Sequence, residues 1–344
     1  MSLPGGRTHM CGDLRATDAG SGVVLAGWVA RRRDHGGVMF FDLRDREGIV
    51  QIVAHPEAQP DAYATAQELK GESVVIVRGT CRLRPEGTAN PNIATGDVEV
   101  AAGTIEVSSV SETPPFPVED RIEADETLRL TYRYLDLRRP EMTAVMRERA
   151  RVASMIRRFF DAHGFVDVET PMLTRSTPEG ARDFLVPSRL QRGSVYALPQ
   201  SPQQFKQLLM VAGIDRYYQL AHCFRDEDLR ADRHWEFTQL DLEMSFASED
   251  DVYDVLEEMF GTLWRQVLGV EVPRPWRRLP YDEAIARFGS DKPDTRYGME
   301  LADLTEAFRG SRFRAFARAV DEGGVIGALA APRAAAWSRK DLAR

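Results

Sequence analysis

The chain has 344 residues, enough for two or more domains with packed cores. Its 43% hydrophobic and 28% charged residues are those of an ordinary globular protein, and no apolar run approaches the ~18 residues of a membrane span. A net charge of −8 argues against non-specific clinging to nucleic acid without excluding a local basic groove.

Met1 to Met10 lacks the hydrophobic core of a signal peptide, and Ser2 to Gly6 reads as a loose leader. Cys11, Cys81 and Cys223 are odd in number and far apart, so neither a disulfide framework nor a zinc site is expected. A reducing cytoplasm fits them.

From Val23 to Val107 short apolar runs alternate with turn residues. Strands are expected at Val23 to Val29, Val38 to Arg44, Val50 to Ala54, Ser73 to Arg78, and Asp97 to Val100 with Ile105 to Val107; a helix is expected at Ala62 to Leu69. This pattern suggests a small β-barrel of the OB kind. Arg31-Arg32-Arg33, Phe40 and Gln51 stand on its expected face, where an aromatic beside arginines suits single-stranded nucleic acid. Pattern alone also allows a plainer reading: a solvated arginine triplet at a strand end, with Phe40 or Phe41 in the core.

Ser111 to Pro117 holds three prolines in four residues, which no ladder or helix interior accepts, and so reads as a semi-rigid hinge. A long helix is expected from Glu141 to His163, with Val145, Val152, Met155, Ile156 and Phe159 inward and Gly164 as its stop. A strand from Phe165 to Val168 runs into Thr170-Pro171. Ser201-Pro202 reads as N-cap and first helical residue of a helix ending near Gly213. Phe205, Leu208 and Leu209 point inward on it, and Gln203 and Lys206 lie one turn apart. Two period-2 strands, Tyr217 to Phe224 and Phe237 to Met244, flank a loop dense in both charges. A helix from Asp250 to Leu268 reads as core packing.

That strand-loop-strand, Gln219 to Ser245, suits a polyanion and a purine: guanidinium groups for phosphate, an aromatic face and an acceptor edge for the ring. The mixture of elements suggests α+β with an antiparallel sheet. Neither G-x-G-x-x-G nor G-x-x-x-x-G-K-[ST] occurs, so a nucleotide would bind by another device.

Gly164-Phe165-Val166-Asp167-Val168-Glu169-Thr170-Pro171 resembles motif 1 of the class II aminoacyl-tRNA synthetases. Phe224-Arg225-Asp226-Glu227 through Glu236-Phe237 resembles motif 2. Ser176 to Phe184, Ala197 to Gln203, Arg31 to Asp34 and Tyr132 to Pro140 resemble the bacterial aspartyl-tRNA synthetases, and the likeness runs from about Arg7 to the C-terminus.

The resemblance implies an OB-fold anticodon-binding barrel at 1–110, a hinge at 111–140, and a class II antiparallel-sheet catalytic core at 141–288. The start of an insertion domain would follow at 289–344. It implies ATP-dependent activation of L-aspartate and transfer to tRNA(Asp) by a cytoplasmic homodimer that does not engage a membrane. Arg225 would grip the α-phosphate and the aspartate carboxylate, with Asp226 and Glu227 beside the nucleotide, Glu227 on the adenine amino edge and Phe237 under the ring. Glu179, Gln203, Lys206 and Asp241 would surround the amino acid. Arg33, Phe40, Gln51 and Glu99 would meet the anticodon loop, and Pro171 the partner subunit.

Departures from the family pattern matter too. No stretch resembles motif 3, and the expected Mg2+ carboxylates and the arginine for the substrate side chain are not among the matched residues. The catalytic domain therefore reads as incomplete, and the polypeptide alone is expected not to aminoacylate at a useful rate. A catalytically dead tRNA-binding relative is the alternative reading. His234-Trp235 stands where bacterial relatives carry Gln-Pro, which puts the ATP contact at His234 in question. His35 and Gly87 occupy positions where members that also charge tRNA(Asn) carry those residue types. A plain loop histidine and turn glycine account for them equally well.

Overall fold

The computed structural model describes residues 6–177 and 179–342, so most of the loose leader and Pro178 of the Ser176 to Phe184 stretch lie outside the described residues. The chain divides into two compact units, Met1–Phe246 and Ala247–Arg344.

The first unit begins with a closed five-stranded barrel: β1 (Gly22–His35), β2 (Val38–Asp45), β3 (Gly48–Ala54), β4 (Val74–Leu83) and β5 (Val98–Ser109), with α1 (Pro60–Glu68) between β3 and β4. The strands run in the order β1-β2-β3-β5-β4, closed by β4 against β1, with β3 and β5 parallel and the other neighbouring pairs antiparallel. Alternation sends Leu25, Val29, Phe41, Leu43, Val50, Ile52, Val75 and Val77 inward, all with no exposed surface. Phe41 is thus the core aromatic and Phe40 faces outward. The two segments expected near residues 97 and 105 form one strand, β5. Its pairing with β4 shifts register twice, between Val74 and Val75 and where Ala102 to Thr104 meets Arg78-Gly79, the latter a bulge centred on Gly103.

Beyond the barrel come α2 (Glu126–Thr131), α3 (Arg133–Asp136) and α4 (Pro140–Ala162). The hinge is tied down. Phe116 is buried, and Arg139 Nε donates to the Glu119 carbonyl at 3.0 Å. A buried charge cluster fastens the basic segment to the barrel. Arg44 holds both Glu72 oxygens, at 2.8 and 2.7 Å, and Arg138 reaches Glu72 Oε2 at 2.9 Å while lying 4.8 Å over the Trp28 ring. Asp136 is fully buried. Burial pushes its carboxyl up, but Arg139, Arg129 and Arg133 outweigh that and hold it below the usual range.

Removing one partner of such a cluster strands the others in low dielectric. Glu72→Gln is therefore expected to destabilise this unit by about 3 kcal/mol. That lowers Tm by roughly 6–12 °C at this size, measured by thermal melting. A shift under about 2 °C would show that the cluster contributes little.

The helix α4 ends as expected at Gly164, which takes φ +74°, a left-handed conformation that glycine adopts without strain. Met155, Ile156, Phe159 and Phe160 are its buried residues. Val145, expected inward, is 56% exposed; near it the helix meets the barrel through Arg147, which pairs with Glu47 at 2.8 Å and donates to the Arg46 carbonyl at 3.1 Å, and not through an apolar face. After α4 come β6 (Val166–Asp167), the hairpin β7 (Leu185–Pro187) and β8 (Val195–Ala197), then α5 (Gln203–Val211), β9 (Arg216–Phe224) and β10 (Glu236–Met244). The sheet order is β10-β9-β6, with β10 antiparallel and β6 parallel to β9.

The expected cap of α5 is corrected. Pro202 is the N-cap and no side chain caps the helix, because the Ser201 hydroxyl instead donates to Glu179 at 2.6 Å. Leu208, expected inward, is 62% exposed.

The second unit holds α6 (Glu249–Leu268), α7 (Tyr281–Phe288), β11 (Leu301–Asp303), α8 (Arg314–Asp321), β12 (Gly327–Leu329) and α9 (Arg339–Leu342), with β11 and β12 antiparallel. Ser248 caps α6 in a capping box with Asp251.

Candidate functional site

The hairpin β9–β10 positions the charged loop. Register pairs Phe237 with Cys223 and Asp241 with Gln219, so alternation fixes which side chains rise on each face. The Arg225 N–H donates to the Trp235 carbonyl at 2.9 Å, closing the loop at its base, and the Trp235 indole N–H donates to the Glu227 carbonyl at 2.8 Å. The bulky tryptophan is therefore a brace for the loop.

Arg225, Glu227, His234 and Phe237 line one cavity of roughly 350 Å3 together with Asp232 and Arg233. The Arg225 guanidinium lies 5.0 Å over the Phe237 ring. Asp226 is not among the lining residues. Its N–H donates to the Arg182 carbonyl at 3.0 Å, and Arg182 Nε returns a bond to the Asp226 carbonyl at 3.1 Å. Asp226 thus latches the motif 2 loop to the stretch around Glu179.

That stretch is held by Gln200 and Thr177, to which the sequence assigned no role, and by Ser201, expected as a helix cap. Buried Gln200 donates to the Ala181 carbonyl at 2.8 Å and accepts from the Ala181 N–H at 3.1 Å. Glu179 receives Ser201 and, at 3.2 Å, Thr177.

Lys206 Nζ sits 2.9 Å from Asp241 Oδ1 and 3.4 Å from Glu243, with both members of the first pair about nine-tenths buried. Asp241 Oδ2 is buried with no hydrogen-bond partner among the described residues, an acceptor that calls for a donor. Gln203 stands one turn before Lys206 on α5 and is half-buried. Cys223 gathers the set: its thiol is pushed up to about 11, raised chiefly by burial and also by Asp241 and Glu179, with Arg225 pulling the other way. Three of the expected residues therefore act on one buried atom. Beneath Asp241, Tyr217 and Thr170 both donate to Gln219 Oε1, at 2.9 and 3.0 Å.

The second site is on the barrel. Arg33, Phe40, Gln51 and Glu99 line a cavity of roughly 750 Å3, and His35 lines it with them. Gly87 does not line it, although Pro85 and Thr88 on either side do. Gly87 takes φ +80°, as a turn glycine does. Arg32, the middle of the triplet, points the other way and bonds the Gln67 carbonyl near the end of α1. Asp42, Arg82, Arg84 and His55 complete the surroundings of this site without having been singled out by the sequence.

Pro171 is exposed and lines a third cavity, of roughly 530 Å3, with Glu179, Ser201 and Phe205. The exposed Val145, Met146 and Leu173 add apolar surface on α4 and in the segment after Pro171.

A family model described as tRNA synthetases class II (D, K and N) matches residues 125–322, and one described as an OB-fold nucleic acid binding domain matches residues 23–108. The chain is 56% identical over 336 residues to an aspartate–tRNA(Asp/Asn) ligase of Moorella thermoacetica, covering 98% of this chain and 56% of that protein. It is 54% identical over 340 residues to an aspartate–tRNA ligase of Geobacillus kaustophilus, covering 98% of this chain and 57% of that protein. The chain thus spans about half the length of the curated relatives it matches. Among solved structures it is similar to asparaginyl-tRNA synthetase from Pyrococcus horikoshii complexed with asparaginyl-adenylate. That likeness has a TM-score of 0.67 at 27% identity and covers 76% of this chain and 58% of that one.

Proposed function

The chain belongs to the class II tRNA synthetases of the D, K and N group, and from that premise we propose that it carries the tRNA-binding barrel and the substrate-binding hairpin of an aspartate–tRNA ligase. The reaction joins L-aspartate to ATP as aspartyl-adenylate and passes the aspartyl group to tRNA(Asp). In-line displacement at the α-phosphate asks the protein for positioning and charge neutralisation.

The hairpin cavity carries this reading, because it sets a guanidinium, an aromatic face and a carboxylate around one space. Arg225 would hold the α-phosphate and the aspartate carboxylate, Glu227 the adenine amino edge, and Phe237 the ring, with His234 at the rim. Asp226 would act through the latch to Arg182. Lys206 would offer its ammonium to the substrate's side-chain carboxylate, while Glu179, Gln203 and the unpartnered Asp241 oxygen receive its ammonium. Mg2+ would enter with the ATP phosphates. Among the described residues no three His, Cys, Asp or Glu side chains gather into a metal site, so none is assigned to it.

In the same reading 1–110 is the anticodon-binding domain, 111–140 its connection, 141–288 the catalytic core and 289–344 the start of the insertion domain. The exposed Pro171 and α4 surface would be covered by a second copy of the chain. No helix among the described residues is long and apolar enough to cross a membrane. The three free thiols fit the reducing cytoplasm where this chemistry would run.

Fluorescence titration of the 344-residue chain with tRNA(Asp) transcripts tests the barrel half. A changed anticodon is expected to weaken binding at least about tenfold, roughly 1.4 kcal/mol. Equal affinity for both transcripts would overturn the assignment of Arg33, Phe40, Gln51 and Glu99. Competition by tRNA(Asn) reports whether His35 and Gly87 accompany the relaxed specificity named for the Moorella thermoacetica relative.

A further inference from the structure

Asp241 Oδ2 is a buried acceptor without a donor among the described residues, while Lys206 holds Oδ1 at 2.9 Å. Native folds rarely leave a buried carboxylate oxygen so, and a donor is to be sought on the same face of the hairpin. Register sets Asp241 opposite Gln219 and Glu243 opposite Tyr217, and alternation puts all four on one side of the sheet. Tyr218 points to the other side, where it donates to Asp161 at 2.9 Å. Tyr217 has no exposed surface. Its hydroxyl lies 2.9 Å from Gln219 Oε1, and the Thr170 hydroxyl lies 3.0 Å from the same oxygen.

Hydrogen-bond accounting decides what this trio can do. With the Gln219 oxygen toward the hydroxyls, both hydroxyl hydrogens are spent on one acceptor and the Asp241 oxygen is left over. A side-chain amide turned over has nearly the same shape, with its donors and acceptor exchanged. Its two N–H groups then donate to the Tyr217 and Thr170 oxygens, and the Tyr217 hydrogen is free to rotate toward Asp241. Three bonds replace two, and the new one, to a carboxylate, is the strongest of them. Burial, and after it the nearby Asp241 carboxylate, push the Tyr217 hydroxyl above the usual phenol range, so it keeps the hydrogen it would give.

We propose that Gln219 and Tyr217 form a donor relay to Asp241 Oδ2, which makes Tyr217 a positioning residue for the amino-acid site. The proposal rests on the reading of Lys206 and Asp241 as that site. A carboxylate held on both oxygens keeps one orientation, and the Lys206 ammonium bound to it keeps its place. Held on one oxygen alone, it turns and carries the ammonium with it. Oδ2 accepts two hydrogen bonds, so it can take the Tyr217 hydrogen and still meet a substrate ammonium.

Tyr217→Phe removes one oxygen and keeps the ring. In calorimetric titrations of the 344-residue chain it is expected to weaken a non-hydrolysable aspartyl-adenylate analogue about tenfold. A non-hydrolysable ATP analogue, which does not reach Asp241, should bind within about twofold of wild type. Thermal melting identifies the acceptor. Tyr217→Phe should lower Tm by roughly 4–8 °C in the native background and by under about 2 °C when Asp241→Ala is already present. A hydroxyl that serves Gln219 alone would cost the same in both backgrounds, and that result overturns the relay. An unchanged affinity for the aspartyl analogue, or an equal loss for both analogues, overturns the positioning role while the amino-acid site stands. Wild type that binds the ATP analogue but not the aspartyl analogue overturns the reading of the site and the proposal with it.

Discussion

Arg225→Ala is expected to weaken binding of a non-hydrolysable aspartyl-adenylate analogue by about a hundredfold, close to 3 kcal/mol. The backbone of Arg225 is fixed by its bond to the Trp235 carbonyl, and its guanidinium rests on the Phe237 ring at 5.0 Å. Little ordering remains to be done when a phosphate arrives, and a guanidinium can meet it with two parallel hydrogen bonds. Arg225→Lys keeps the charge but not the fork, and should lie between wild type and the alanine variant. Because Arg225 is only half-buried at the mouth of a loop, melting should change little. Isothermal calorimetry decides the matter. A loss under about threefold for the alanine variant would remove Arg225 from the phosphate site.

Lys206→Met is expected to act on stability and binding together. The lysine is the cation between Asp241 and Glu243, and Asp241 is 11% exposed. Its loss leaves the Asp241 carboxylate buried without its cation, beside the partly exposed Glu243, at a cost of about 3 kcal/mol. Adding Asp241→Asn should recover part of that stability, because the second change removes the stranded charge. Affinity for the aspartyl analogue should not recover, since the cation for its side chain is still missing. A single variant that melts within about 2 °C of wild type would show that the pair is worth little.

Much of the scaffold was legible in the sequence where periodicity spoke alone. Alternation is plain in β1 and in much of β2, less so in β3 and the hairpin, where apolar runs mark the strands, and Gly164 marks the end of α4 through the left-handed turn it permits. The motif 2 likeness led to Arg225, Glu227, His234 and Phe237, which the fold sets around one cavity, and the likeness to bacterial aspartyl-tRNA synthetases led to Arg33, Phe40, Gln51 and Glu99, which line another.

What escaped depends on partners distant in sequence. Ser201 has the local look of a helix cap, but Glu179 offers it a charged acceptor 22 positions away, and the stronger bond wins. Val145 has helical spacing toward a core that does not extend to the first turns of α4. Asp42 and Arg82 carry no motif. Their place follows from strand register and from a bulge that no local composition announces. The brace from Trp235 to Glu227 turns an apparent departure from the family pattern into a support for the loop.

Calorimetric titration of this chain with non-hydrolysable aspartyl-, asparaginyl- and lysyl-adenylate analogues tests the assigned substrate most directly, since the family model spans all three amino acids. Lys206 presents an ammonium that a substrate carboxylate satisfies, a carboxamide satisfies poorly and a second ammonium opposes. The aspartyl analogue is expected to bind at least about tenfold more tightly than either of the others. Tighter or equal binding of the asparaginyl or lysyl analogue, or no binding of any, would contradict an aspartate site built on Arg225, Lys206 and Asp241.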